Sequence, residues 1–408
     1  MRVFGGGRTW MNADLSLERA GRAGRCRPLD GTGPRNWLVS QPRPFYGGRV
    51  HLARIKLRDY RNYTRLDAQF APGLHVILGD NAQGKTNLLE AIYLMATLRS
   101  FRGVGSAHLV RHGAKGYFVG GEVVGTGSQD IKIFWSPRER KLSLNGQPVK
   151  RLADYYGVLR TVVFCSEDLQ LVKGSSRFRR RFLDLLLAQT QPGYLALLQR
   201  YLRALRARNA LLKQPAPDEL ALDSFTGELA AAGNEIMRHR REMAPRILPL
   251  VRQACRSIAN DLEEPRLLYK PGAADDLAAE LRRLRPRERV YRVTLAGPHR
   301  DEVELLLNDR SAAQFGSEGQ KRSLAIALKM AQAEYLATAH GTPPILLIDD
   351  VMGELDLKRR SALLPLLEQA HLARGQVFMT CTEENWPAEL SRTARRWVVE
   401  TGLLRPAS

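Results

Sequence analysis

The run Gly79-Asp80-Asn81-Ala82-Gln83-Gly84-Lys85-Thr86 follows the apolar segment Leu74-His75-Val76-Ile77-Leu78 and precedes the helix-forming stretch Asn87-Leu88-Leu89-Glu90-Ala91-Ile92. Strand, glycine-rich turn and helix in that order let backbone N–H groups and a helix N-terminus converge on a polyphosphate. Lys85 is placed to reach the β- and γ-phosphates of a nucleoside triphosphate, and the Thr86 hydroxyl to bind Mg²⁺. Far downstream, Ile345-Leu346-Leu347-Ile348-Asp349-Asp350 sets four apolar residues, suited to a strand inside a parallel sheet, ahead of two carboxylates at its C-terminal edge. Asp349 is expected to hold Mg²⁺ through water, and Asp350 to orient or polarise the attacking water. Together the two motifs describe ATP and Mg²⁺ held for hydrolysis.

A third cluster, Phe315-Gly316-Ser317-Glu318-Gly319-Gln320-Lys321-Arg322, opens an Ala-rich helical stretch. Ser317 suits an N-cap, and its hydroxyl with the free N–H groups of the first turn reads either as an anion site or as the start of an ordinary capped helix.

The elements that must position these residues read as an α/β head. Strands are expected at 51–57, 74–78, Tyr117–Val124, 131–135, 141–144 and Thr161–Phe164, with a hairpin at Asn145-Gly146 and a helix at 86–98. Between 179 and 289 strands give way to helices. Tyr194, Leu198, Leu202, Leu205 and Leu212 form one apolar stripe, and Leu229, Ala232, Ile236, Met243 and Ile247 a second, interrupted by Pro245 and Pro249. Two antiparallel helices on these stripes predict a short arm, since Tyr194–Leu212 spans only about 28 Å. Strands return at 291–296, 303–308, 345–348 and 376–382. The expected organisation is a head half at 50–178 carrying the phosphate loop, a helical lobe at 179–290, and a second head half at 291–408. Residues 1–49, Gly- and Pro-rich with nine Arg against three acidic residues, are expected to be disordered, with translation starting at Val50 from a GTG codon.

Composition narrows the class of partner. Lys and Arg total 63 against 42 acidic residues, a formal charge of +21, which favours a polyanion such as nucleic acid. The chain has no uninterrupted apolar stretch of membrane-spanning length, so no membrane association is expected. Cys26, Cys165, Cys255 and Cys381 are scattered without a Cys-x-x-Cys pair, which suits a reducing cytoplasm and argues against a structural zinc site.

Ser-x-Gly-Gln upstream of the Asp349-Asp350 strand resembles the signature motif of ABC-type ATPases, and Gly353-Glu354-Leu355-Asp356 falls where that superfamily has its D-loop. The fold implied is an ABC-type P-loop ATPase head, a mixed sheet with flanking helices, with an inserted short α-helical arm. In that superfamily the signature contacts a nucleotide held by another subunit. Ser317, Gly319 and Gln320 would therefore touch ATP bound by a second copy.

Within the superfamily the chain resembles the RecF family of bacterial recombination mediators. The likeness rests on Leu57-Arg58-Asp59-Tyr60-Arg61-Asn62-Tyr63, on the phosphate loop, and on Phe164-Cys165-Ser166-Glu167-Asp168-Leu169 followed by Arg179-Arg180-Arg181-Phe182-Leu183-Asp184. It rests also on Gly297-Pro298-His299-Arg300-Asp301-Glu302, the signature and the paired aspartates. The resemblance implies an ATP-dependent homodimer on DNA, duplex and single-strand/duplex junctions alike. It also implies slow hydrolysis, work with RecR and RecO in recombinase loading, and roles in replication, repair and the SOS response. An SMC-like or transporter-type ATPase is the alternative, but the first needs a far longer arm. The second usually has a histidine where this chain has Thr380, which is expected to donate to the γ-phosphate. Arg61 and Asn62 lie either near the nucleotide or in a plain turn, and Glu167 and Asp168 in a gating loop or an N-cap. His299 and Arg300 could touch DNA, a phosphate or a neighbouring loop. The Arg179 to Arg181 triplet reads equally as a solvated helix face or a DNA contact.

Overall fold

Two burial patterns separate two sheets early in the chain. Strands β1 (His51–Tyr60) and β2 (Tyr63–Gln69) mix buried with exposed positions, whereas β3 (Gly73–Leu78) is buried along nearly its whole length. A strand with one wet face suits an antiparallel sheet, and one buried on both faces suits the middle of a parallel sheet. After β3 comes helix α1 (Lys85–Thr97), then β4 (Tyr117–Val124), β5 (Ser128–Trp135), β6 (Arg140–Leu144) and β7 (Gln147–Pro148). These strands complete an antiparallel sheet in the order β2-β1-β4-β5-β6-β7. Asn145 and Gly146 join β6 to β7 at φ of 52° and 75°, the left-handed pair a two-residue hairpin requires. The computed structural model describes residues 50–125, 127–258, 263–351, 359–363, 365, 367, 375–382 and 394–407. The segment 1–49 and the expected D-loop at Gly353-Glu354-Leu355-Asp356 lie outside the described residues.

The chain continues through α2 (Leu152–Tyr155), β8 (Thr161–Phe164), α3 (Gln170–Lys173), α4 (Ser176–Thr190), α5 (Tyr194–Leu212) and α6 (Glu219–Ile258). It then runs through β9 (Pro265–Lys270), α7 (Leu277–Tyr291), β10 (Glu302–Leu307), β11 (Arg310–Ser311), α8 (Ala312–Phe315) and α9 (Glu318–His340). It ends with β12 (Ile345–Asp349), β13 (Gln376–Cys381), β14 (Arg395–Glu400) and β15 (Leu403–Pro406). The second sheet has the order β15-β14-β3-β13-β12-β8, parallel throughout except at β15. A mixed α/β head with flanking helices and a long helical arm is therefore the architecture. Among the described residues no helix is long and apolar enough to cross a membrane.

Three local expectations are corrected. The helical region contains a strand, β9, which pairs antiparallel with β10 although the two are remote in sequence. Residues 291–296 form no strand: α7 runs to Tyr291, and the segment beyond is held by side chains. Asn209 accepts from the Thr294 N–H at 2.8 Å and Glu288 from the Leu295 N–H at 2.8 Å, which satisfies the backbone without a neighbouring strand. Pro245 and Pro249 do not interrupt α6. Both are exposed and lie one turn apart, so the carbonyls they leave unbonded face water, where a helix tolerates curvature.

The long helical arm lies against the head along its length. α6 packs on α5, then on α9 and β9, and Leu229, Ile236, Ile247, Leu324, Leu328 and Val377 belong to one continuous apolar core. A buried ion pair pins its far part. Arg208 and Glu288, both 0% exposed, meet at 2.5 Å, and Arg208 also donates to the Thr226 and Thr294 hydroxyls at 2.9 Å. Removing one partner strands the other charge out of water. Glu288→Leu is expected to lower unfolding stability by about 3–5 kcal/mol in a urea titration. The double substitution Arg208→Met, Glu288→Leu should regain most of it; a double variant no better than the single one contradicts this reading.

Candidate functional site

The phosphate loop joins β3 to α1 and is shaped by close backbone approaches. Gly79 has φ 145°, and a Cβ there would stand 2.4 Å from the Val399 carbonyl oxygen of β14. Gly84 has φ 120°, and a Cβ there would meet the Asn62 amide at 2.7 Å. Neither position admits a side chain without displacing backbone or brace. Gly84 is the N-cap of α1, which leaves the first-turn N–H groups of Lys85, Thr86 and Asn87 pointing out of the helix as an anion site. Lys85 is only 5% exposed, and its ammonium donates to the carbonyls of Gly79 and, at 3.0 Å, Asp80. The charge is thus already folded over the loop that would cradle the phosphates.

Three strands carry the carboxylate partners to this loop. β13 lies between β3 and β12, with Leu78 opposite Cys381 and Asp349 opposite Thr380. The Asp349 strand end therefore stands about 10 Å from the start of the loop, and α1 closes the gap, because the Thr86 side chain comes close enough to the Asp349 carboxyl to lower its titration. A hydroxyl and a carboxylate brought together this way are the hard oxygen ligands Mg²⁺ takes. Among the described residues no three His, Cys, Asp or Glu side chains converge to hold a metal unaided. Mg²⁺ would thus need phosphate oxygens to complete its shell, and the residues present fit ATP and Mg²⁺ bound together.

Asp349 is 8% exposed, and burial pushes its carboxyl up from 3.8 to about 6, against the pull of the Thr86 and Thr380 side chains and of nearby Arg102. Thr380 departs from expectation. It is 1% exposed, donates its hydroxyl to Asp349 at 3.1 Å and accepts from the Asp350 N–H at 2.9 Å. Its one donated proton is therefore committed to the protein, and the expected bond to a γ-phosphate gives way to alignment of both aspartates. Asp350, next in the chain at φ 56° and partly exposed, leaves the strand in a left-handed turn.

Two further residues reach this site by charge. Glu167, exposed at the end of β8 beside β12, raises the Asp349 carboxyl; Arg102, exposed just past α1, lowers it and donates to Asn87 Oδ1 at 3.3 Å. Glu167 had an open reading, and its charge is felt at the Asp349 carboxyl. Arg102 was not singled out, since a lone Arg after a helix has no motif.

The signature stands apart from this cluster. Ser317 accepts from the Gln320 N–H at 3.1 Å, and Gln320 Oε1 accepts from the Ser317 N–H at 2.8 Å, a capping box at the start of α9. Gly319 lies under the Arg359 guanidinium, which a Cβ there would meet at 2.8 Å and push aside, and which also donates to Ser323 at 3.0 Å. Lys329 of α9 pairs with Asp168 at the β8 edge, 3.4 Å away. Ser317 lies about 18 Å further along the helix axis from that anchor. It is exposed, beside Phe315, which is 68% exposed.

Other expected residues turn out to be braces. Asn62 donates to the Gln83 carbonyl at 2.7 Å and accepts from Asn87 at 2.8 Å, so it supports the loop from outside. Arg61 sits in the β1–β2 turn and forks onto buried Glu90 at 2.8 and 2.9 Å. Asp168 caps the turn after β8 by accepting from the Cys165 N–H at 3.0 Å. His299 is bonded to the Tyr201 hydroxyl at 2.5 Å and the Thr294 carbonyl at 3.1 Å, and burial pushes it down to about 4, so it is a neutral internal tie. The arginine triplet is neither a solvated face nor a free surface. Arg179 forks onto Glu302, Arg180 donates to the Asp301 carbonyl, and Arg181 donates to the Ser100 carbonyl. Asp301, 0% exposed, accepts in addition from Arg240, Tyr269 and the Gly272 N–H, joining α6, β9 and the β10 entry.

The raised Asp349 carboxyl has a thermodynamic consequence. An unfolded aspartate at 3.8 ionises freely, whereas the folded one resists until about 6, so stability is lost as pH rises between those values. A shift of about two units is worth about 3 kcal/mol. Asp349→Asn should therefore be the more stable protein at pH 8 without nucleotide, with the advantage gone at pH 4, in paired thermal melts. Equal melting of the two proteins at pH 8 contradicts the burial argument.

Comparison with known proteins follows the same geometry. The RecF/RecN/SMC N terminal domain family matches residues 51–403. A DNA replication and repair protein RecF from Symbiobacterium thermophilum is 39% identical over 360 residues, covering 83% of this chain and 95% of the relative. The protein of the same description from Geobacter sulfurreducens is 38% identical over 345 residues, covering 82% and 93%. Among solved structures, the recombination mediator protein RecF with ATP, in the RecFOR pathway, has a TM-score of 0.81 at 28% identity, covering 89% of this chain and 99% of that one. An Smc head domain from Pyrococcus furiosus has a TM-score of 0.52 at 15% identity, covering 88% and 96%, a likeness of fold alone. With a phosphate loop, a Thr86–Asp349 pair and this degree of likeness along nearly the whole described chain, the protein belongs to the RecF family of DNA replication and repair proteins, within the RecF/RecN/SMC ATPases.

Proposed function

We propose that this protein is an ATP-gated DNA clamp. Two copies meet head to tail with two ATP molecules between them. Lys85 and the loop amides grip each triphosphate from one side, and Ser317, Gly319 and Gln320 of the other copy grip it from the opposite side. The observation that carries this reading is the position of Ser317, exposed at a helix N-terminus about 18 Å along α9 from the anchor beside the nucleotide sheet. A helix N-terminus so placed offers its free N–H groups to an anion outside its own protomer.

Within each site the residues divide the work. Lys85 offsets γ-phosphate charge, and Thr86 with Asp349 would hold Mg²⁺, which when bound draws charge from the β- and γ-phosphates. Asp350 orients the attacking water, while Thr380 fixes both carboxylates. Hydrolysis releases the clamp and is slow, because the switch position holds a threonine whose proton is already committed. The excess of positive charge holds the DNA backbone without regard to sequence, so affinity should fall steeply with salt. The partner is DNA, duplex and single-strand/duplex junctions alike, in the cytoplasm. The family relation supports work with RecO and RecR in gap repair and recombinase loading, and a part in replication and the SOS response.

Sedimentation velocity with duplex DNA tests the clamp. The wild type should dimerise on adding ATP, and Lys85→Ala should stay monomeric. Asp350→Asn should dimerise and leave DNA about 10²-fold more slowly than wild type. Dimerisation of Lys85→Ala in ATP, or equal release rates for Asp350→Asn and wild type, would contradict the proposal.

A further inference from the structure

Helix α7 presents a surface that neither the nucleotide site nor the core explains. Its inner face is Leu277, Leu281, Leu284 and Glu288, all buried. Along one flank Arg283, Arg287 and Tyr291 follow at single-turn spacing, and Val290 lies nearly opposite the buried face. Val290 is 78% and Tyr291 62% exposed, an adjacent pair of large apolar side chains left in water at the end of a helix. Arg282, Arg289 and Arg292 surround them and are exposed as well. The one carboxylate between 281 and 292, Glu288, is turned inward onto Arg208. Arg283 has a loose pair with Glu280 at 3.3 Å, and Arg285 and Arg289 pair with Glu219. Among the described residues no acidic side chain pairs with Arg282, Arg287 or Arg292.

The end of the helix is also held firmly. Arg292 takes φ 55° as the C-cap and donates its N–H to the Glu288 carbonyl, so Tyr291 is fixed in the last turn. Directly behind it, Asn209 and Glu288 hold the backbone of Thr294 and Leu295. An exposed phenol ring on a helix end whose backbone is held, beside the uncompensated guanidinium groups of Arg287 and Arg292, has one well-matched kind of ligand. A duplex offers phosphates alone, whereas an unpaired strand offers phosphates and the open face of a base.

We propose that α7 is a second nucleic-acid site, one that binds an unpaired DNA strand through Arg283, Arg287 and Arg292 on phosphates and Tyr291 stacked on a base. It rests on the DNA-binding part of the proposed function and is independent of the clamp, because every residue it uses lies on one helix of a single protomer. The site gives the protein a physical means of telling a single-strand/duplex junction from plain duplex: the clamp holds the paired part and the helix the unpaired part.

Fluorescence anisotropy with a labelled oligothymidine strand and a blunt duplex of equal length, both in ADP, tests the site. Tyr291→Ala should weaken single-strand binding about tenfold and leave duplex binding within about twofold, while Tyr291→Phe keeps the wild-type affinity. The double substitution Arg287→Gln, Arg292→Gln should flatten the slope of log affinity against log salt on the single strand by about 1.4. The three side chains replaced are exposed, so a circular dichroism melt should be unchanged. Wild-type single-strand affinity in Tyr291→Ala, equal loss on both DNAs, or loss of a protein partner with DNA affinity intact would each overturn the site. Failure of the wild type to bind either DNA would instead overturn the DNA-binding reading from which it starts.

Discussion

A single carboxylate taken out of water organises the nucleotide site. Asp349 ends a strand buried along its whole length, so its charge has little solvent; Thr380 bonds it directly and Thr86, from a different part of the chain, lies near enough to ease its ionisation. Thr86 brings the phosphate loop to it across β13, and Thr380 rises from β13 beneath it. Without a cation the ionised form is disfavoured, as its raised titration shows; bound Mg²⁺ would relieve that penalty. Nucleotide binding and the ionisation of Asp349 are thus linked, and the linkage depends on the sheet order that sets β12 one strand away from β3.

The rest of the head transmits this local arrangement to the surfaces that would meet a partner. Arg359, beyond the paired aspartates, lies against Gly319 and bonds Ser323, so that arginine and the start of α9 are packed together. Buried Arg240 forks onto Asp184 and donates to Asp301, tying the helical lobe to the head with charged bonds on every side. Such a network is costly to break because each missing partner leaves a charge without water. The lobe is therefore expected to move with the signature helix and not as an independent arm.

Much of this was legible in the sequence. The phosphate loop, the strand before Asp349 and the Ser317 cap depend on local spacing, and local spacing is what a sequence displays. Strand β8 and helix α5 were readable with their full bounds from apolar pattern alone. What failed had long-range causes. β9 is a short strand whose partner comes far later, the 291–296 segment is held by side chains of distant helices, and α6 keeps its course because both prolines face solvent. The roles of Arg61, Asn62, His299 and the arginine triplet were illegible for the same reason. Each is decided by a partner remote in sequence, Glu90, Gln83, Tyr201 and Glu302 among them. Thr380 is the instructive case: its position was foreseen, but only its buried neighbours show where its proton goes.

The account stands or falls on whether one ATP is shared between two copies. Mixing two proteins that are each inactive tests this most directly: Lys85→Ala, which lacks the phosphate grip, and Ser317→Arg, which blocks the opposing surface. A mixed pair then contains one site with both halves intact. The account predicts that the mixture regains ATP-dependent association and part of the hydrolysis that neither variant has alone. A mixture as inactive as its components, or hydrolysis at the wild-type rate by Ser317→Arg alone, would contradict it.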